Sequence, residues 1–396
     1  MFSVSKFLGV DKENEALVYK AYLAFFCSGM MTNVLGAILP YMGDYYGFSY
    51  AFRGSLTSIN QIGNLTAVWL SGFLPYAIGR KNSTLILGSG IVIGLLLMAL
   101  TGNPFFVALA FIFVGVGRGT MSNITNVVVG QYAGNKTVGL NLLHATFAVG
   151  AVASPFVVAF LGPARWRIPV ISIAAAMSGA LVLLALSKLE NKKSVKAKDE
   201  STIPREFSFW LNTAILFFYL CCEASLMNWL VTYFRDSGIF NTAVSTVMSS
   251  LLWMMILIGR LLCAYISSRV KNKSYLILIM GIMVTFFFIL MLSASSPLFI
   301  LIGVLGTGFS MSGIYPTTLS TNAKKYNKST IATGTCIASA TLGSIIMPGV
   351  IGTVAETSGM AAGMATVSIA LVIMVILMII KVFYTGYQIK NNTFEA

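Results

Sequence analysis

The chain has 396 residues, of which 57% are hydrophobic and only 10% are charged, and its mean hydropathy is +0.84. A soluble domain typically carries about 25% charged residues, so this composition excludes a soluble globular protein and indicates a polytopic membrane protein. The formal net charge of +14 does not predict nucleic-acid binding, because the lysines cluster between apolar segments.

Apolar segments long enough to cross a bilayer recur along the whole chain. A membrane-spanning helix needs about 20 apolar residues, and roughly twelve segments meet that length. The first six segments run at 17–43, 52–76, 84–101, 104–129, 138–161 and 167–187. The last six run at 208–234, 242–267, 274–294, 297–320, 330–353 and 360–383. The sequence therefore predicts an all-α polytopic membrane protein with twelve transmembrane helices.

A polar, lysine-rich stretch divides these segments into two groups of six. Residues 188–207 show no apolar periodicity, which is typical of a surface loop. We therefore expect an N-terminal six-helix bundle over 1–187, a cytoplasmic central loop, and a C-terminal six-helix bundle over 208–396.

The two groups repeat each other in sequence. Three pairs of short motifs are offset by about 191 to 193 residues, in register with the six-plus-six helix count. They are Gly115-Val116-Gly117 with Gly306-Thr307-Gly308, Gly150–Pro155 with Gly343–Pro348, and Arg80-Lys81 with the Lys271–Lys273 cluster. The repeat predicts two pseudo-symmetric bundles around a central cavity at the bilayer midplane.

The distribution of basic residues predicts how the chain is oriented. With the N-terminus placed inside, almost all lysines and arginines fall on the cytoplasmic side, as the positive-inside rule requires. Only Arg53, Arg165, Arg167 and Arg235 fall outside, whereas Arg118 and Arg260 lie within spans. We expect a multi-pass protein of the cell membrane with both termini in the cytoplasm.

The loop after the second segment carries a recognisable motif. Its sequence, GFLPYAIGRK from Gly72 to Lys81, resembles the G-x-L-x-D-x-x-G-R-K motif of major facilitator transporters. The resemblance implies that Gly72, Gly79, Arg80 and Lys81 serve the cytoplasmic gate. Tyr76 stands where the motif has an aspartate that helps to lock that gate, so the charge network here differs. The whole chain is identified on this basis as a member of that superfamily.

Four further motifs resemble the fucose permease branch, the fucose–galactose–glucose proton symporters. They are Ile38-Leu39-Pro40, Leu140–His144, the set Tyr219, Glu223, Trp229 and Tyr233, and Ile314–Thr317. The resemblance implies uptake of a sugar or polyol together with protons. Gly36 and Thr120 occupy the two positions where that branch has the acidic residues expected to carry the proton.

Glu223 is the one carboxylate well inside any predicted span. A charged group at mid-bilayer costs on the order of 3 kcal/mol, so its presence usually indicates a function or a buried partner. We expect it to carry a proton or to anchor the substrate. The alternative is a structural carboxyl group held by an ion pair or hydrogen bonds in the core.

Other polar groups in the spans are candidates to line the cavity. Arg118 shares a face of its helix with Ser122, and it either lines the cavity or braces neighbouring helices. His144, the only histidine, either couples protons and binds a sugar hydroxyl or packs between helices. Arg260 lies near a cytoplasmic helix end, where it is expected to reach the bilayer surface or serve the gate. Further substrate-binding candidates, each with an alternative packing role, are Asn60, Gln61, Asn64, Asn228, Trp229 and Tyr315.

The sequence carries no pattern that indicates an enzyme. It contains no phosphate-binding Walker loop, no HExxH pair and no nucleophile elbow, and its five cysteines lack metal-ligand spacing. We therefore expect a monomeric secondary transporter without a cofactor, taking up a sugar or related polyol by proton symport. The alternatives are a proton-coupled exporter of drug-like or amphipathic metabolites and a sensor that keeps a transporter fold.

Overall fold

The computed structural model describes residues 10–134, 136–187, 189, 205–267, 269–270, 272–322 and 330–390. All regular secondary structure in these ranges is helical. Of the expected central loop, only Leu189, Arg205, Glu206 and Phe207 lie within the described residues, and Phe207 already belongs to a helix.

The helices follow the predicted apolar segments closely. The first six are α1 (Lys12–Tyr46), α2 (Tyr50–Ile78), α3 (Arg80–Leu100), α4 (Pro104–Tyr132), α5 (Lys136–Leu161) and α6 (Arg167–Ala185). They are followed by α7 (Phe207–Asp236), α8 (Thr242–Ser267), α9 (Lys273–Ser293), α10a (Pro297–Met311), α10b (Ile314–Ser320), α11 (Thr330–Ser358) and α12 (Met360–Lys390). The prediction of an all-α polytopic fold is confirmed.

Eleven stretches within the described residues are helical, long and apolar enough to cross a bilayer, with α10a and α10b counted as one. The remaining predicted span is α2, which is 29 residues long. One expected segment differs in detail, because the helix predicted at 297–320 is interrupted between Met311 and Ile314. At Gly313, in this break, a Cβ atom would lie 2.1 Å from the Cys263 sulfur of α8, so only glycine fits.

The chain forms two compact units. One contains Met1–Phe48 and Ile59–Lys196, and the other contains Ser49–Ser58 and Ala197–Ala396. The same pairs of helices pack together in each unit. In the first, α1 packs against α5 and α6, and α3 packs against α4 and α6. In the second, α7 packs against α11 and α12, and α9 packs against α10a and α12, so the sequence repeat is also a repeat of packing.

The repeated glycine-to-proline motif makes one helix contact in each unit. A Cβ atom on Gly150 of α5 would lie 2.3 Å from the Phe26 carbonyl oxygen of α1. A Cβ atom on Gly343 of α11 would lie 2.2 Å from the Phe217 carbonyl oxygen of α7. Both distances are far below van der Waals contact, so each glycine lets two helix backbones touch. Small residues provide such close approach between helices in membranes.

In the first unit, a side chain of α1 compensates for the backbone hydrogen bond that the proline of this motif cannot make. Pro155 cannot donate the backbone hydrogen bond that would normally satisfy the Ala151 carbonyl one turn earlier. The Asn33 side-chain amide of α1 donates to that carbonyl at 2.7 Å, and Asn33 is fully buried. The proline therefore creates an acceptor inside the bundle, and α1 satisfies it.

We expect Gly343→Ala to destabilise the protein by about 1–3 kcal/mol, because the added methyl group must push α11 away from the backbone of α7. The matched control is Gly334→Ala on the same helix, where a Cβ atom meets nothing within 4 Å. Thermal unfolding of the purified variants, followed by intrinsic fluorescence or loss of monodispersity, measures the difference. Equal melting temperatures for the two variants would contradict the close contact.

Candidate functional site

Glu223 of the second unit is held by a tyrosine on its own helix. The Tyr219 hydroxyl donates to Glu223 Oε1 at 2.9 Å, across one turn of α7. Tyr219 is 1% exposed, whereas Glu223 is only partly buried. Glu223 is thus held by Tyr219 and remains partly exposed, which is an arrangement suited to exchanging a proton or binding a ligand.

Two further groups belong to the surroundings of Glu223. The Tyr315 ring of α10b lies 6.0 Å from the Tyr219 ring, centroid to centroid, and packs on the core formed by Phe209 and its neighbours. Arg260 of α8 lies close enough to Tyr219 for its charge to act on the hydroxyl group. The Arg260 Nε atom is buried and has no hydrogen-bond partner in the part of the chain that the structure describes. The cluster therefore combines an acid, a cation and two phenols.

Two of the expected binding residues on α7 have local partners instead. Trp229 is fully buried, and its indole Nε1 donates to the Pro348 carbonyl of α11 at 3.2 Å. The Asn228 side-chain amide donates to the Ala224 carbonyl of its own helix at 2.7 Å. Trp229 thus fastens α7 to α11, while Asn228 remains partly exposed.

In the first unit, Arg118 of α4 is paired with an amide of α2. Its guanidinium group donates to Gln61 Oε1, and both side chains are partly exposed. Asn64 lies one turn along α2, and its Oδ1 is 3.0 Å from where a Cβ atom on Gly119 would be. The absence of a side chain at Gly119 therefore leaves room for the Asn64 amide beside Arg118.

Asn60 has a different role from its neighbours on α2. It is 5% exposed, and its amide donates to the Phe111 carbonyl of α4 at 2.9 Å. Its own carbonyl oxygen would lie 2.1 Å from a Cβ atom on Gly115. Asn60 thus ties α2 to α4 at a point where the two backbones touch, which corresponds to the packing alternative.

The remaining candidates of the first unit lie at accessible positions. Ser122 is partly exposed, and its carbonyl oxygen accepts from the Asn126 amide at 2.6 Å. His144 is exposed on α5, with its ring edge-to-face against Phe25 of α1 at a centroid distance of 5.5 Å. The histidine therefore packs against an aromatic ring and leaves part of its own ring accessible.

The loop motif forms a sharp connection between α2 and α3. Gly79 directly precedes α3 and has a φ angle of 82°. Glycine adopts this conformation more readily than other residues, which explains why the motif has a glycine at this position. Lys81 donates from Nζ to the Ser187 carbonyl at 3.1 Å, next to the end of α6. Arg80 borders a cavity within the first unit. Gly72 lies on α2, seven residues before this turn.

Sequence reasoning did not identify a buried polar cluster at one end of the second unit. Lys381 of α12 is 5% exposed, and its Nζ atom donates to Asn212 Oδ1 and Thr321 Oγ1, both at 2.5 Å. The Asn212 amide in turn donates to Asn322 Oδ1 at 2.7 Å. The positive-inside argument counts Lys381 among the cytoplasmic basic residues, yet its ammonium group points into the protein. Its position within the apolar run of α12 is the feature of the sequence that could have indicated a buried lysine.

Comparison with known proteins identifies the family. Residues 21–348 match the model of the Major Facilitator Superfamily. The chain belongs to this superfamily. Its homologues and its fold are those of transporters, so it is a multi-pass membrane transporter and not an enzyme.

Individual relatives are distant but cover nearly the whole chain. The glucose/mannose transporter GlcP of Bacillus subtilis is 22% identical over 358 residues, which are 84% of this chain and 86% of GlcP. A TsgA homolog of Yersinia pseudotuberculosis is 23% identical over 389 residues, covering 94% of this chain and 96% of that protein.

Solved structures with the same fold extend the comparison. A bacterial homolog of the human lysosomal transporter Spinster aligns over 93% of this chain and 97% of its own, with a TM-score of 0.76 and 11% identity. The nucleoside transporter NupG aligns over 93% of this chain and 98% of its own, with a TM-score of 0.70 and 17% identity. These structures establish the fold alone.

Proposed function

We propose that this transporter takes up a sugar or related polyol together with protons, and that Glu223 is the group that binds and releases the proton. The observation that carries the proposal is the partly exposed Glu223 carboxylate, which is held by the Tyr219 hydroxyl at 2.9 Å. A carboxyl group that is held by a hydrogen bond and belongs to a partly exposed residue can change its protonation state without the loss of its position.

Arg260 is the cation of this cluster, because its charge acts on the Tyr219 hydroxyl that holds Glu223. A cation near a carboxylate stabilises the ionised form, and a protonated carboxyl group loses that attraction. Arg260 is partly exposed, and its guanidinium group can offer a donor to a substrate oxygen. Protonation of Glu223 and binding of a hydroxyl-rich solute can thus be coupled through the same small cluster.

The choice of a sugar rests on the side-chain chemistry of two groups of residues, the Arg118–Gln61 pair of the first unit and the residues around Glu223 in the second. Amides and guanidinium groups such as Gln61 and Arg118 can donate and accept the hydrogen bonds that sugar hydroxyls require. The Tyr315 ring provides a surface on which a sugar ring can stack. The 22% identity with a glucose/mannose transporter supports the same substrate class. We further propose that the protein acts as a monomer with both termini in the cytoplasm.

A binding screen followed by a transport assay tests the proposal. We expect monosaccharides or polyols to raise the melting temperature of the purified protein in a saturable manner, because a ligand that binds the folded state stabilises it. The same solute should accumulate in proteoliposomes when the outside is made acidic, and a protonophore should abolish this accumulation. Stabilisation by lipophilic cations alone, with no response to sugars, would contradict uptake and indicate the exporter instead.

A further inference from the structure

A half-enclosed cavity of about 150 Å³ lies within the first unit, where α2, α3 and α4 meet. A single buried water needs only about 10–15 Å³ on the same kind of measure, so the cavity has room for a small polyatomic ligand. Its polar lining consists of Ser71, Arg80, Ser83, Thr84, Thr120 and Asn123. No carboxylate is among the lining residues, and the cavity therefore has a positive charge.

Several hydrogen-bond donors around this cavity are not in use. Arg80 makes no hydrogen bond or ion pair within the described residues, although its guanidinium group carries five donors. Thr84 is 4% exposed and likewise has no hydrogen-bond partner among those residues. The Ser71 Oγ atom is buried and unpartnered in the described part of the chain. The buried Ser71 hydroxyl is an unsatisfied polar group, and a bound ligand would satisfy it.

Two of the hydroxyl groups that line the cavity already donate hydrogen bonds to backbone carbonyls. The Ser83 hydroxyl donates to the Gly79 carbonyl at 2.7 Å, and the Thr120 hydroxyl donates to the Val116 carbonyl at 2.9 Å. The ligand must therefore be bound by Arg80, Thr84, Ser71 and the Asn123 amide, all of which can donate. A set of donors around a cation suits an acceptor-rich, negatively charged ligand.

The backbone strengthens this preference. Helix α3 begins at Arg80, so the cavity lies at its N-terminal first turn. The first backbone N–H groups of a helix have no partner within the helix, and the helix dipole favours negative charge at this end. Phosphate groups bind at such helix ends, and Arg binds them through paired hydrogen bonds.

We propose that this cavity is a binding site for a phosphate group, held by Arg80, Thr84 and Ser71 at the N-terminus of α3. The phosphate is that of a lipid headgroup or of a small phosphorylated solute, since the two offer the same chemistry.

Phosphate binding to the purified full-length protein tests the site. We reconstitute the protein in phosphatidylcholine nanodiscs and titrate inorganic phosphate at constant ionic strength against chloride, with the melting temperature as readout. In a second arm, we compare phosphatidylcholine nanodiscs with nanodiscs that contain phosphatidylglycerol, without added phosphate. A response in the first arm identifies a soluble phosphate ligand, and a response in the second arm alone identifies a lipid headgroup.

Three variants distinguish a specific phosphate site from nonspecific attraction of phosphate to the basic residues. We expect Arg80→Gln to weaken the response at least about tenfold, because it removes a charged hydrogen-bond donor. The matched control, Lys81→Gln, removes the adjacent cation, whose Nζ donates to Ser187 and which does not line the cavity. It should leave the response within about twofold. Thr84→Val removes one donor at almost constant volume and should weaken the response even if Arg80→Gln proves unstable.

The proposal is overturned if neither phosphate nor phosphatidylglycerol changes the melting temperature. It is equally overturned if Lys81→Gln weakens the response as much as Arg80→Gln does, or if Thr84→Val leaves it intact. These measurements do not depend on which solute the protein transports. A failure of the phosphate site is therefore distinguishable from a failure of the proposed sugar transport.

Discussion

Glu223→Gln is expected to abolish accumulation driven by a pH gradient while substrate binding and exchange without a gradient persist. Glutamine keeps the shape of the side chain and can still accept the hydrogen bond from Tyr219, but it cannot ionise. Accumulation should fall to the level of protein-free liposomes, whereas the affinity for the solute should change little. Proteoliposome uptake with and without an imposed pH gradient, together with equilibrium binding, measures both quantities.

Two comparisons make this experiment specific. Glu15→Gln removes a carboxylate from the first turn of α1, in the other unit, and should retain full accumulation. Tyr219→Phe removes the hydroxyl that holds Glu223 and should reduce the rate while coupling remains. Full gradient-driven accumulation by Glu223→Gln would rule out the proton-carrier role and leave His144 to be tested. Loss of binding as well would make Glu223 a substrate anchor.

Arg118→Ala is expected to abolish transport in a protein that still inserts and folds. The guanidinium group is partly exposed and donates to Gln61 Oε1. Loss of a charged hydrogen bond to a substrate weakens binding by about 1.5–3 kcal/mol, or more than tenfold. Arg118→Lys should restore only part of the activity, because lysine lacks the planar fork of arginine.

The control for this variant is Arg165→Ala, which removes an exposed arginine from the short connection between α5 and α6. Size-exclusion profiles and melting temperatures of both variants show whether the fold is retained. If Arg118→Ala fails to fold while Arg165→Ala is stable, Arg118 braces α4 against α2 and does not bind the solute.

The helices could be predicted from the sequence because the bilayer sets their minimum length. Segment seven was expected at 208–234, and α7 extends from Phe207 to Asp236. The largest shift is at the end of α12, which extends to Lys390 although the predicted segment ends at residue 383. Polar residues can continue a helix outside the hydrocarbon core, so hydropathy alone places the membrane boundary and not the helix end.

The candidate sites were predictable only as far as contacts within one helix. Tyr219 and Glu223 are four residues apart, so their pairing follows from the helical repeat. The pairing of Arg118 with Gln61 and the burial of Asn60 depend on the register between α2 and α4. That register is set by the contact of Gly115 with the backbone of α2, which no single-helix pattern reveals.

The buried Lys381 cluster has a consequence for how the protein is assembled during synthesis. α12 follows α7 and α10b in the chain, and Lys381 lies near its C-terminal end, where a long side chain can reach the membrane surface. Its final partners, Asn212 and Thr321, have by then already entered the membrane on α7 and beside α10b. The ammonium group exchanges water for these two oxygen atoms only when α12 docks. A chain truncated before Lys381 therefore leaves Asn212 Oδ1 without this donor, and α7 and α12 lose a polar contact inside the second unit.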